Sequence, residues 1–385
     1  MDAADFTEIL DTVHRFVRDE VVPREDEIEE TDDIPAVLRS RAAAMGLFGY
    51  TLPEEYGGLG ASAVEDARLA IEFGWTTPAF RSMFGTNNGI AGQVFVHSGT
   101  EEQKRSWLPK LAAGAVASFA LSEPEAGSDP SGLTTKARKV PGKAGEPDGY
   151  VLSGSKRFIT NALLADVFIV FARTGSAADG NKGISAFIVE SGTPGLTVGP
   201  KDHKTGQAGA WTSEVFLDEV RVGPDALVGG VEGAGFTAAM RSLAKSRLHI
   251  AALCVGLAER ALDEAVRHAR ANKQGGRPIG EFQLVQALLA ETKAELDAGR
   301  ALVLDAAAKY DSGEDRKMAP SCAKLFCTEM AYRAADRAVQ VHGGMGYMRG
   351  VPVERILRDA RLFRIYEGTS EIQKLIIGKA LLAAG

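Results

Sequence analysis

The 385-residue sequence predicts an α+β multidomain fold with an N-terminal all-α domain over residues 1–115, a middle β-barrel or sheet domain over 116–228, and a C-terminal four-helix-bundle domain over 229–385. Two observations predict it. The hydrophobic period is helical, becomes strand-like, and returns to helical. Strands and helices are segregated rather than alternating, which excludes a doubly wound α/β sheet. A chain of this length is also too long for one ordinary core.

From Phe6 to about Leu111, segments such as FTEILDTVHRFVRDEVV and EEQKRSWLPKLAAG repeat apolar residues at three- and four-residue intervals, interrupted by the turn-rich PEEYGGLGAS. Between Val116 and Val228, short runs such as YVLSGSKRFIT, DVFIVFAR and SEVFLDEVRV lie between Gly, Pro and Asp clusters, the pattern of strands. KVPGKAGEPDG reads as a solvent-exposed hairpin loop between two of them. After GVEGAGF the helical period returns in segments long enough for a bundle.

Formal net charge is −7. That balance removes the electrostatic case for nucleic acid or an anionic membrane surface as the main partner. No stretch approaches the roughly 20 apolar residues of a membrane span. The start MDAADFTEIL carries acidic residues where a secretory signal carries basic ones, so a cytoplasmic location is expected. Three cysteines are too few for a disulfide framework, and six histidines form no ligand pair, so no metal is expected.

Neither a GxxxxGK[ST] loop nor a GxSxG elbow is present. Three segments could carry chemistry. In RIYEGTSEIQKLIIGKALL, Ser370 and Gln373 have capping-box spacing, so a helix begins just after Gly368. Glu367 then stands on the turn leading into that helix, where it is either a general base projecting into a cavity or a surface glutamate. FALSEPEAGSD, Phe119 to Asp129, ends a strand in hydroxyls and backbone N–H groups able to contact a polar ring or phosphate. KRFITNA places Phe158 and Thr160 on one strand face, an aromatic and a donor suited to a flat heterocycle or simply to a core.

Together these segments resemble one family. FALSEPEAGSD and VQVHGGMGYMRGVPVERILRDARLFRIYEGTSEIQ look like the two signatures of the acyl-CoA dehydrogenases, in order and in spacing, and the likeness runs along nearly the whole chain. The resemblance implies FAD as cofactor, an acyl-CoA thioester as substrate, a homo-oligomer, usually a tetramer, and an electron-transferring flavoprotein as electron acceptor. It implies Glu367 as the base that removes the α-proton while the β-hydrogen leaves as hydride to the flavin. It points to Phe119, Leu121, Ser122, Gly127, Ser128, Phe158, Ile159 and Thr160 beside the flavin, with Thr369 and Glu371 near the catalytic loop. Gln283, Gln340, Gly343 and Gly344 match positions holding the dinucleotide end of a neighbouring subunit's FAD. Ser128, Arg247, Tyr366 and Gly368 are expected at the substrate. Relatives that place the base on a C-terminal-domain helix would put it at Ser246, which cannot serve.

Two departures stand out. The family's Arg-x-x-Phe-Gly is replaced here by the stretch from Asn272 to Gly276. The lost charge-assisted hydrogen bond to the FAD pyrophosphate costs on the order of 1.5–3 kcal/mol. Ala244 stands where many relatives carry an aspartate near the substrate. A subunit that shares FAD within a hetero-oligomer, and a relative that passes electrons to oxygen, stay open on sequence grounds.

Overall fold

The computed structural model describes residues 2–142 and 148–383. The N-terminal part is helical: α1 Ala3–Arg15, α2 Glu25–Thr31, α3 Ala36–Ala44, α4 Ala63–Gly74, α5 Pro78–Gly85, α6 Ala91–Ser98 and α7 Glu101–Ala112. Ser62 with Glu65 and Thr100 with Gln103 form capping boxes that start α4 and α7, satisfying backbone N–H groups that the helices leave open. A π-helical turn, Thr86–Ile90, joins α5 to α6.

Seven strands follow: β1 Ala117–Ala120, β2 Lys136–Val140, β3 Gly149–Thr160, β4 Val167–Arg173, β5 Ile184–Glu190, β6 Leu196–Lys201 and β7 Thr212–Val222. They form one sheet in the order β1-β4-β2-β3-β7-β6, with β5 on β4. The β2–β3 pair is antiparallel, as a hairpin requires, while residues 143–147 of the expected hairpin loop lie outside the described residues. All of β4 except Arg173 is buried, because helices cover one face of the sheet and its own curl closes over the other.

The C-terminal part is built from α8 Gly235–Ala271, α9 Gln283–Ser312, α10 Met318–His342, α11 Pro352–Phe363 and α12 Ser370–Ala383, with a two-stranded hairpin, β8 Lys273–Gln274 and β9 Arg277–Pro278, between α8 and α9. The alanine-rich middle of α8, Ile250 to Ala258, is buried against α4 and α10 in one continuous core. Small side chains let these helices approach closely, which brings the far ends of the sequence onto one site.

Candidate active site

Glu367 lies in the turn between α11 and α12, with φ of +54° there and +90° at Gly368. A non-glycine residue in the left-handed region persists only when its surroundings hold it. Here they do. Lys324 of α10, fully buried, donates from Nζ to the Gly368 carbonyl at 2.7 Å, and Gln373 of α12 donates from Nε2 to the same oxygen at 2.9 Å. A Cβ on Gly368 would stand 2.7 Å from Gln373 Nε2, so the turn closes only around glycine. Helix α12 is capped one residue earlier than expected. Thr369 Oγ1 accepts the Ile372 N–H at 3.2 Å, while Ser370 Oγ donates to Glu329 at 2.6 Å. Glu329 also pairs with Arg364, a tertiary partner that local spacing does not reveal.

The Glu367 side chain is half-buried. Its Oε2 is enclosed and has no hydrogen-bond partner. Arg247 of α8 is buried with its Nε unpartnered; burial pushes its guanidinium down and the Glu367 charge works against that push. Burial likewise lowers Lys324 to about 8, with Cys254 and Glu367 working against that shift. Tyr366 stacks at a tilt on Phe363, ring centroids 5.6 Å apart. Ser246, one residue before Arg247, is fully buried with an unpartnered Oγ.

The middle domain presents a second set. Phe119 of β1 rests on Phe171 with centroids 4.8 Å apart, and Leu121 and Ile159 point into the apolar cores on either side of the sheet. Ser122 accepts the Arg157 N–H through its carbonyl at 2.9 Å, and Thr160 accepts Ser118 Oγ through its carbonyl at 2.8 Å. A register shift between Lys156 and Ile159 turns Phe158 outward with φ +58°, leaving its ring 63% exposed beneath the Arg157 guanidinium. Gly127 and Ser128 are exposed, and a Cβ on Gly127 would meet nothing within 4 Å. An outward aromatic in a left-handed turn is a shelf that suits a flat ring system. Glu371 is exposed in the first turn of α12.

Gln283, Gln340, Gly343 and Gly344 are exposed at one end of the bundle, where α8, α9 and α10 meet through Ala265, Leu288 and Val341. Among the described residues no group of three or more His, Cys, Asp or Glu is arranged to hold a metal ion.

The family descriptions "Acyl-CoA dehydrogenase, N-terminal domain", "middle domain" and "C-terminal domain" match residues 4–115, 118–220 and 233–382. The chain belongs to the acyl-CoA dehydrogenase family. An acyl-CoA dehydrogenase of Bacillus subtilis is 43% identical over 96% of this chain and 96% of its own length. The caffeyl-CoA reductase-Etf complex subunit CarC of Acetobacterium woodii is 36% identical over 93% and 92%. The solved acyl-CoA dehydrogenase complexed with FAD from Bacillus anthracis superposes with a TM-score of 0.91 at 32% identity, covering 99% of this chain and 67% of that one.

In this acyl-CoA dehydrogenase chain, sequence reasoning missed the buried polar groups that brace the site. Arg81 of α5 donates from Nε to His249 Nε2 at 2.6 Å, His249 Nδ1 meets Asp66 Oδ1 at 2.8 Å, and Tyr50 donates to Asp66 at 2.7 Å. Accepting at Nε2 leaves the His249 proton on Nδ1, facing Asp66. Burial, with Arg81 next, pushes His249 below its ordinary value, which agrees with a neutral ring. Glu123 and Lys156 form a second buried pair under the Gly-Ser loop, 2.7 Å apart. The only available signal was a charged residue on an otherwise apolar helix or strand face.

Proposed function

We propose that this chain is an FAD-dependent acyl-CoA dehydrogenase that oxidises the Cα–Cβ bond of an acyl-CoA thioester, with Glu367 as the base. The observation that carries the proposal is the enclosed, unpartnered Glu367 Oε2 on a turn braced from two helices. An acceptor oxygen with no protein donor is open to take a proton from a carbon acid. The Glu367 backbone N–H makes no hydrogen bond among the described residues, which suits it to donate to the thioester carbonyl and acidify the α-carbon. Arg247 is close enough for the Glu367 charge to act on its guanidinium, although no hydrogen bond joins the two among the described residues.

The shelf of Phe158, Thr160, Ser122, Gly127 and Ser128 would hold the isoalloxazine ring, and Thr369 and Glu371 would contact it from α12. When bound, FAD supplies the two-electron acceptor for the β-hydrogen. Leu121 and Ile159 act from the cores behind that shelf, fixing the strands that carry it. The relative named as an Etf-complex subunit supports an electron-transferring flavoprotein as the partner that reoxidises this chain. The exposed Gln283, Gln340, Gly343 and Gly344 support a homo-oligomer, a tetramer by the family's habit, in which they meet the dinucleotide end of a neighbour's FAD.

The test is anaerobic titration of the purified yellow protein with a panel of acyl-CoA thioesters, following loss of the flavin absorbance. The wild type bleaches with at least one thioester, and Glu367→Gln keeps its FAD but loses bleaching by about 10²-fold or more, the scale of a missing general base. A variant that bleaches at the wild-type rate discards Glu367 as the base.

A further inference from the structure

Among the described residues six non-glycine positions hold a left-handed φ, and five of them belong to one connected set: Glu367 at +54°, Gln207 at +56°, Asp32 at +51°, Asn161 at +62° and Phe158 at +58°. The sixth, Glu219, stands in β7 beside Ser153. Such backbone is costly for a residue with a side chain, persists only where its surroundings enforce it, and gathers at functional sites.

The five are joined by residues 202–211, the connection between β6 and β7. Its first half lies on α11, the helix that leads into the Glu367 turn. A Cβ on Gly206 would stand 2.7 Å from the Arg358 carbonyl carbon, so the two backbones touch, and Arg358 Nη1 donates to the Thr205 carbonyl at 3.0 Å. Buried Gln207 gives its backbone N–H to the Asp359 carboxylate and its Nε2 to the Asp359 carbonyl at 3.2 Å. Burial pushes the Asp359 carboxyl up to about 7, against the Gln207 N–H, Arg355 and Arg358. A buried acid is a costly way to hold one loop, which marks the position of that loop as constrained. The Gln207 side chain also reaches Tyr366, the residue before the base: burial pushes that phenol well up, and Gln207 works against the push.

The second half meets the shelf. The Trp211 carbonyl accepts the Asn161 N–H at 2.9 Å, and Thr212 pairs with Thr160 across the sheet. Asn161 also donates from Nδ2 to the Ser82 carbonyl at 2.8 Å, tying that corner to α5. Asp32, at the end of α2, fixes the middle: its carboxylate accepts the Gly209 N–H at 2.7 Å and its carbonyl accepts Trp211 Nε1. Four residues of chain therefore run from the neighbour of the base to the strand that carries Phe158 and Thr160.

We propose that residues 207–211 are a strut that sets the spacing between the Glu367 turn and the flavin shelf, with Gln207 as a positioning residue for the base. The proposal rests on the reading of Glu367 as the base and adds what keeps base and shelf in register. Proton and hydride leave adjacent carbons of a substrate held between the two, so a misplacement of about 1 Å costs on the order of 10²-fold in rate. Gln207 acts through Tyr366 and Asp359.

The experiment uses the FAD-loaded enzyme with butyryl- and octanoyl-CoA. Stopped-flow flavin reduction gives the limiting rate, and calorimetry with the unreactive 3-thia analogues gives the affinity. Gln207→Leu keeps the volume and loses the side-chain amide contacts, and Tyr366→Phe removes only the hydroxyl. Each lowers the limiting rate by about 10-fold or more, while analogue affinity and FAD content stay within a few-fold of wild type. The double variant is little slower than the slower single one, because both break the same contact. A Gln207→Leu protein that reduces its flavin at the wild-type rate overturns the proposal. So does one whose rate, analogue affinity and FAD content fall together, as a merely structural defect requires. Should Gln207→Leu fail to fold, a full limiting rate in Tyr366→Phe overturns it. Glu367→Gln separates the two readings: reduction at the wild-type rate by that variant discards the base itself, whereas an inert Glu367→Gln beside a fully active Gln207→Leu discards the strut alone.

Discussion

The Glu123 carboxylate shows what one buried charge does for a loop. It accepts the Thr134 N–H at 2.6 Å, the Thr135 N–H at 3.0 Å and Lys156 Nζ at 2.7 Å, tying the segment after β1 to β2 and β3. Burial works against the carboxylate, but Lys156 and the threonines outweigh it and pull its pKa down to about 2. A depressed acid contributes stability that is present above its unfolded value, about 4.3, and is lost as pH falls through its folded one. Glu123→Gln leaves Lys156 buried without its counter-charge, at a cost of about 3–5 kcal/mol at neutral pH. In urea melts the gap between wild type and variant narrows as pH falls from roughly 4.3 toward 2. A gap that stays constant with pH would show that the pair is not the source. Replacing Glu123 and Lys156 together with methionines recovers much of the loss, since the cost lies in the orphaned charge.

At the scale of elements, the site depends on how closely α4 and α8 cross. A Cβ on Gly256 would stand 1.9 Å from the Ile71 carbonyl oxygen and 2.9 Å from Gly74 Cα, so the two helix backbones touch at this pair of glycines. Helix α4 carries Asp66 and α8 carries Ser246, Arg247 and His249, so separating the helices separates the hydrogen-bonded chain. Gly256→Ala forces α4 and α8 apart at a cost of about 1–3 kcal/mol. The expected result is a lower melting temperature together with a lower kcat/KM, FAD content being retained; an unchanged melting temperature would mean the crossing relaxes freely. This crossing also marks the limit of what sequence revealed. The periods of α8, α9 and α10 and the strand runs from Val116 to Val228 were legible because burial imposes them locally. Glu367 and Arg247 were legible through a motif around them. Arg81, Asp66, His249 and Lys324 were not, because each has a partner 44 or more residues away along the chain. Each also looks, in its own helix, like an ordinary polar position. The cap of α12 was misplaced by one residue for the same reason: Glu329, 41 residues away, takes the Ser370 hydroxyl and leaves the capping to Thr369.

On the scale of the molecule, one end of the C-terminal bundle is unusually apolar for a surface facing water. Leu284 at the start of α9 is 83% exposed, and Met345, Tyr347 and Met348, just past α10, are 58%, 87% and 58% exposed. The His268 and His342 rings, tilted against each other with 4.0 Å between centroids, join the ends of α8 and α10 there, so these side chains gather at one place. Burying each large apolar side chain contributes about 1.5–3 kcal/mol, so a symmetric contact that covers several of them from both copies favours assembly. The same end carries Gln283, Gln340, Gly343 and Gly344, so assembly and retention of FAD are coupled if those residues hold a neighbour's dinucleotide. The double variant Leu284→Asp with Tyr347→Asp places charges in that contact. Its mass by light scattering falls to that of a smaller species at micromolar concentration, and its FAD content per chain falls with it. Retention of wild-type mass and full flavin would remove this end of the bundle as the interface. Smaller mass with full flavin would instead mean that each chain holds its cofactor alone.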